Sequence, residues 1–187
     1  MGRRREVANP LALAVLAWLL TEPMHPYELG RRLMRTGQDR HVKYSRGTLY
    51  MVVDRLRRAG FIAERETVRD TRRPERTVYA LTDAGREELR DWMRDLVGTP
   101  HPEYPRFAVA LSLLDALAPE EAAALLRDRL LTLTAQVGEL RAAAASAPAW
   151  PLPVVEEYRL AVLEAERRFV AGLVDTLAAD DLPADRT

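Results

Sequence analysis

The residue types that could carry out chemistry are few in this chain and badly placed for it. Three histidines, His25, His41 and His101, are separated by intervals of 16 and 60 residues, which match no metal-ligand spacing on a helix or hairpin. Each reads as a surface or capping residue. There is no cysteine, so disulfides, thiolate metal sites and thiol nucleophiles are excluded. The acid pairs Glu87–Glu88 and Glu156–Glu157 fall on expected solvent faces of helices. No glycine-rich phosphate loop follows a strand, and no Ser, His and Asp set has a nucleophile's context. The expectation is a protein without catalytic activity, cofactor or metal.

A different chemistry is concentrated in residues 45–60, SRGTLYMVVDRLRRAG. Ser45 can cap a helix whose Leu49, Val52, Val53, Leu56 and Ala59 form one buried face, and Gly60 sits where a helix-ending glycine belongs. At 100° per residue, Gly47, Tyr50, Met51, Asp54 and Arg58 fall opposite that face, flanked by Arg46 and Arg57. Gly47 would let the helix approach a neighbouring surface closely, and the helix N-terminus offers free N–H groups to an anion. Arg46 and Tyr50 can reach base edges or phosphates, and Ser45 and Thr48 offer hydroxyls. The plainer alternative is that Ser45 and Thr48 only cap the helix, Arg46 is a solvated charge and Tyr50 packs on a neighbour. Asp54 either reads a cytosine amine or repels phosphate. Lys43, the only lysine, precedes the helix, and Arg69, Arg72, Arg73 and Arg76 cluster further on. Such positive charge suits a segment lying beside double-stranded DNA.

The elements that must position these residues follow from pattern. Asn9 and Pro10 open a helix through the ten-residue apolar block Leu11–Leu20. The basic run before that block imitates a secretory signal, but no small-x-small cleavage site follows and the block is too short to span a bilayer. A buried helix in a cytoplasmic protein is expected. Pro26 opens a second helix with Tyr27, Leu29, Leu33 and Met34 as its apolar stripe and Gly37 at its end. After the third helix, FIAERETV and RTVYAL flank the charged link RDTRRPE and read as a hairpin with a basic tip. Thr82 and Asp83 then cap a helix carrying Leu89, Trp92, Met93, Leu96 and Val97. Three helices, a hairpin and a closing helix make a winged helix-turn-helix unit.

GTPHPEYPRF packs three prolines and a glycine together, placing a boundary near residues 98–104 and giving domains 1–98 and 99–187. The second domain reads as helix throughout. Leu126, Leu130, Leu133, Val137, Leu140 and Ala144 form one 3.5-residue seam, and Val155, Tyr158, Val162, Ala165 and Phe169 form another. Either seam can close an intramolecular hairpin or a dimer. SAPAWPLP separates the two helices. The fold class is therefore mainly α: a winged helix-turn-helix with a small β-hairpin wing, followed by a helical dimerisation domain.

Bulk charge is uninformative, because 28 Lys and Arg balance 28 Asp and Glu. The halves differ: residues 1–98 hold 20 basic and 14 acidic side chains, the remainder 8 and 14. A basic first half fits a nucleic-acid surface. A winged helix used only as a protein-interaction module would share the caps and the core; the wing arginines speak against it.

HPYELGRRL (25–33), SRGTLYMVVDRLRRAGFI (45–62) and RTVYALTDAGREEL (76–89) resemble the PadR family of bacterial transcriptional regulators, and LAPEEAAALLRDRL (117–130) is similar to its longer-tailed branch. The resemblance implies a homodimer on a near-palindromic operator, joined through the C-terminal helices and the first helix. It also implies repression relieved by a small, often aromatic, effector. By that resemblance Tyr27, Thr48 and Tyr50 fall on family positions in the DNA-binding unit, and Arg72, Arg73 and Arg76 in its wing. Pro26 replaces the glycine of the family's His-Gly-Tyr, which suits a first helical position but puts the approach of that helix end to phosphate in question. Trp92 and Trp150 are candidates to line an effector cavity; large aromatics are also the usual core residues of small domains.

Overall fold

A computed structural model describes residues 7–68, 76–144 and 152–178. The chain divides into two compact units, Met1–Pro102 and Glu103–Thr187.

The first unit runs α1 (Pro10–Thr21), α2 (Pro26–Arg35), α3 (Arg46–Arg58), β1 (Ile62–Val68), β2 (Arg76–Leu81) and α4 (Asp83–Gly98). Each start follows from a local signal. The Asn9 side chain accepts the Leu11 N–H at 2.9 Å, with Pro10 as first helical residue. The His25 Nδ1 accepts the Tyr27 N–H at 3.0 Å ahead of Pro26. Glycines at φ +72° (Gly37) and +74° (Gly60) end α2 and α3. At Gly60 the closure is a Schellman pair, with the Gly60 N–H donating to Arg57 O and the Phe61 N–H to Leu56 O.

Four α3 side chains, Leu49, Val52, Val53 and Leu56, are buried with Leu11, Leu16, Leu29 and Leu33 in one core. α1 is covered on most but not all sides: Ala17 and Leu20 remain exposed. On α2 the buried set is Pro26, Leu29, Gly30 and Leu33, while Tyr27 and Met34 are 48% and 61% exposed. The expected stripe is thus corrected. Tyr27 and Met34 lie roughly 90° round the helix from the buried residues and fall on its flank. Met93, Leu96 and Val97 of α4 are likewise exposed, and Glu88, expected in solvent, is 9% exposed beside Leu89 and Trp92. Position 88 shares a helical face with 85, 89 and 92, so the core takes its stem whatever its charge.

β1 and β2 pair antiparallel from Ile62↔Leu81 to Val68↔Arg76, with an irregularity between Glu64 and Glu66. Met24 adds a bridge that no pattern foretold, exchanging both backbone hydrogen bonds with Tyr79 at 3.0 Å. It anchors the α1–α2 link to the hairpin. Burial, then the Glu64 carboxylate opposite on β1, push the Tyr79 phenol above its ordinary range.

The second unit contains α5 (Arg106–Leu111), α6 (Pro119–Ala144) and α7 (Leu152–Ala178), with α6 and α7 paired. The α6 seam packs inward through Leu126, Leu133 and Val137, against a face of α7 that holds Leu163, Val170, Leu173 and Val174. Arg129 donates to Glu166 and lies 3.6 Å over the Phe107 ring, and Arg141 pairs with Glu164. The other seam, Val155, Tyr158, Val162, Ala165 and Phe169, stays exposed; Tyr158 and Phe169 are 66% and 55% accessible. The two seams therefore have different roles within one chain.

The LTDAG turn shows how tightly the first unit is jointed. Thr82 Oγ1 accepts the Gly85 N–H at 3.1 Å and donates to Gly60 O at 2.7 Å, tying the start of α4 to the end of α3. A Cβ at position 85 would lie 2.0 Å from the Phe61 carbonyl oxygen. We expect Gly85→Ala to cost about 1–3 kcal/mol or more through this overlap, lowering the melting temperature by several degrees. Gly138→Ala, at a helical position where a Cβ meets nothing within 4 Å, should instead gain about 0.5–1 kcal/mol. Thermal denaturation of the two variants checks both signs.

Candidate nucleic-acid interface

The site grows from the way α3 begins. Ser45 Oγ accepts the Thr48 N–H at 3.1 Å, and the Ser45 N–H donates to Thr48 Oγ1 at 2.8 Å, a reciprocal capping box. The Thr48 hydroxyl also donates to Ser45 O at 2.9 Å. The two hydroxyls are therefore committed first to the cap, the plainer of the roles open to them in the sequence. With the cap made and the apolar face sunk in the core, Arg46, Gly47, Tyr50, Met51 and Arg58 are all exposed on the opposite side. Tyr50 is 48% and Met51 57% accessible. Among the described residues a Cβ on Gly47 would meet only Ser45 Oγ, at 4.0 Å, so none of them requires a glycine there.

Tyr27 of α2 joins this surface from the side. The Arg46 guanidinium sits 5.8 Å from the centre of the Tyr27 ring, a cation–π contact that holds a flexible charged side chain at the α2–α3 edge. That contact places Tyr27, read in the sequence as part of the α2 apolar stripe, beside the exposed side of α3. Lys43 is exposed just ahead of α3. Asp54 is held by Arg57 at 3.1 Å and Arg58 at 2.8 Å, so its charge is already answered and it repels an approaching anion less than its sequence position suggests.

Arg72, Arg73 and Trp150 lie outside the described residues, as does the side chain of Arg76 at the start of β2. Trp92 is 6% exposed within the first unit's core. The face of α4 that it shares with Leu89 turns inward. Trp18, on α1, donates from Nε1 to Gln38 at 2.7 Å and lies 5.4 Å beneath the Arg32 guanidinium. Of the histidines, His25 caps α2, His41 lies exposed in the turn before α3, and His101 approaches Asp95 at 3.5 Å. Pro26 is buried as the first residue of α2, a place where its missing N–H costs no helical hydrogen bond.

A three-helix core, a two-stranded wing and an exposed third helix define a winged helix-turn-helix protein. The chain matches the transcriptional regulator PadR-like family over residues 15–91. It is 29% identical over 153 residues to the negative transcriptional regulator PadR of Bacillus subtilis (strain 168), covering 78% of this chain and 82% of that protein. The structure of B. subtilis PadR in complex with operator DNA is similar at a TM-score of 0.66 and 21% identity, over 94% of this chain and 99% of that one. The Vibrio cholerae virulence activator AphA is similar at a TM-score of 0.66 and 19% identity, over 90% and 98% respectively.

The free space at Gly47 gives a test that separates fold from function. Gly47→Ala should leave the chain folded and slightly more stable, by about 0.5–1 kcal/mol, because alanine is the better helix former. If the α3 surface works by close approach to a partner, the same variant should bind that partner more weakly. Calorimetric melting and a DNA-binding titration on one preparation would show the opposed effects; unchanged binding would remove Gly47 from the interface.

Proposed function

We propose that the chain is a homodimeric transcriptional regulator that binds a near-palindromic operator in double-stranded DNA. Its repression would be released by a small, aromatic molecule. The observation that carries this reading is the outer side of α3: it is solvated, carries Arg46 and Tyr50, and has a glycine that no contact among the described residues requires. In the proposed complex α3 lies in the major groove, where Arg46 reaches a base edge, and Tyr27, Lys43, Ser45, Thr48 and Tyr50 contact the backbone. Arg72, Arg73 and Arg76 lie along the flanking phosphates.

The exposed α7 seam supports a dimer. A row of Val155, Tyr158, Val162 and Phe169 at a 3.5-residue period is the pattern of a helix that pairs with another. Two copies related by two-fold symmetry would present two α3 helices to two half-sites. The repressor and effector parts of the proposal draw on B. subtilis PadR, a negative regulator whose structure is also known with p-coumaric acid. Among the described residues no helix is long and apolar enough to cross a membrane, which is compatible with action in the cytoplasm. No catalytic step enters this reading.

Titration of the DNA upstream of the chain's own gene tests it. Two chains should bind per site, with affinity falling as salt rises on a slope that reflects several phosphate contacts. Arg46→Ala should cut discrimination between operator and random duplex by about 1–3 kcal/mol, whereas Arg72→Ala should weaken both alike and lower the salt slope by about one. Equal losses on both duplexes for Arg46→Ala would make it a phosphate contact. Absence of a footprint at any salt concentration would leave the winged helix as a protein-interaction module.

A further inference from the structure

Tyr44 has no part in the interface described so far. It stands in the turn leading into α3, and its ring packs, partly buried, against the first unit's core. Its phenol oxygen lies over α2 at Gly30, where a Cβ would come within 2.6 Å of it. Glycine at 30 is what lets the phenol cross α2 and reach the groove between α2 and α3. That groove, about 280 Å³ in volume, also carries Tyr27, Arg31, Arg46 and Tyr50 on its walls. Among the described residues the Tyr44 hydroxyl has no hydrogen-bond partner, although a ring needed only for packing would do as well without the oxygen.

The chemistry of the groove is one-sided. Among the described residues three phenols and two guanidinium groups line it, and no carboxylate does. Glu28 approaches Arg31 only at 3.6 Å, with the Arg31 side chain 62% exposed. Such an excess of donors complements the oxygens of a phosphate, whereas a base edge presents a mixture of donors and acceptors. The groove opens at the same α2–α3 edge where Arg46 is stacked on Tyr27, so its charge and that of α3 address one backbone.

We propose that this groove seats one backbone phosphate of duplex DNA in each half-site, with the Tyr44 hydroxyl donating to a non-bridging oxygen. The proposal rests on the DNA-binding reading above and adds to it a contact made from the turn before α3. Tyr44→Phe removes one oxygen and no intramolecular hydrogen bond, so its melting temperature should equal that of the wild type. The test uses the full chain and a duplex from upstream of its own gene, with single methylphosphonate linkages scanned along one half-site. Wild type should lose about tenfold in affinity at one linkage, a hydrogen bond to a charged group being worth that much. Tyr44→Phe should lose a similar factor on unmodified duplex and nothing more at that linkage. Wild-type affinity for Tyr44→Phe, or a loss that persists undiminished at every linkage, would overturn the proposal while leaving the DNA reading in place. A wild-type chain that forms no complex with the duplex would overturn both.

Discussion

Everything at the interface depends on the rotational setting of α3, and burial fixes that setting. Leu49, Val52, Val53 and Leu56 are each no more than 3% exposed. Burying side chains of this size is worth about 1.5–3 kcal/mol apiece, so the four together are comparable with the entire net stability of a small domain, about 5–15 kcal/mol. The helix cannot roll without surrendering that free energy. Its opposite side is therefore held outward as a rigid surface, and Arg46, Gly47, Tyr50 and Met51 are positioned by residues buried in the core. The Ser45–Thr48 box and the Gly60 closure set where the helix starts and stops, and the Thr82–Gly85 joint locks its end to α4.

The second unit follows the same logic with two stripes in place of one. α6 and α7 each carry an apolar row at helical spacing, yet only the α6 row is consumed in their pairing. α7 meets α6 through a different face, one that includes Val170 and is reinforced by Glu164 and Glu166 pairing with arginines of α6. A helix that satisfies its neighbour with one face and keeps a second apolar face free is equipped for a further helix. In the proposed dimer symmetry would supply that helix at no cost in new sequence, since a two-fold axis would bring the same face of a second copy against the first.

Local signals were legible in the sequence because their physics is local. The Asn9, Ser45 and Thr82 caps, the prolines at the first turn and the glycine stops involve residues a few positions apart, and α1, α3, the hairpin and α4 begin where those signals lie. Periodicity placed the buried face of α3 but was less accurate for α2. There Tyr27 and Met34 sit on the flank and were drawn into the stripe only because they are apolar. Glu88 was misread for the converse reason, its charge outweighing its position. The Met24–Tyr79 bridge joins residues 55 positions apart through backbone alone, so no side-chain pattern announces it. The exposed side of α3 was legible in the sequence, whereas the Arg46–Tyr27 stack and the answered charge of Asp54 depend on three-dimensional neighbours.

The central claim is that the exposed side of α3 lies against duplex DNA, and the absence of cysteine permits a direct measurement. Met51, 57% exposed on that side, can be replaced as Met51→Cys and coupled to an iron chelate that cleaves nearby DNA backbone. Two sets of cuts are predicted, symmetric about the operator centre and one helical turn, or a whole number of turns, apart. The same reagent at Leu131→Cys, on the exposed side of α6, should cut poorly. Cleavage from position 131 with none from position 51 would contradict the account.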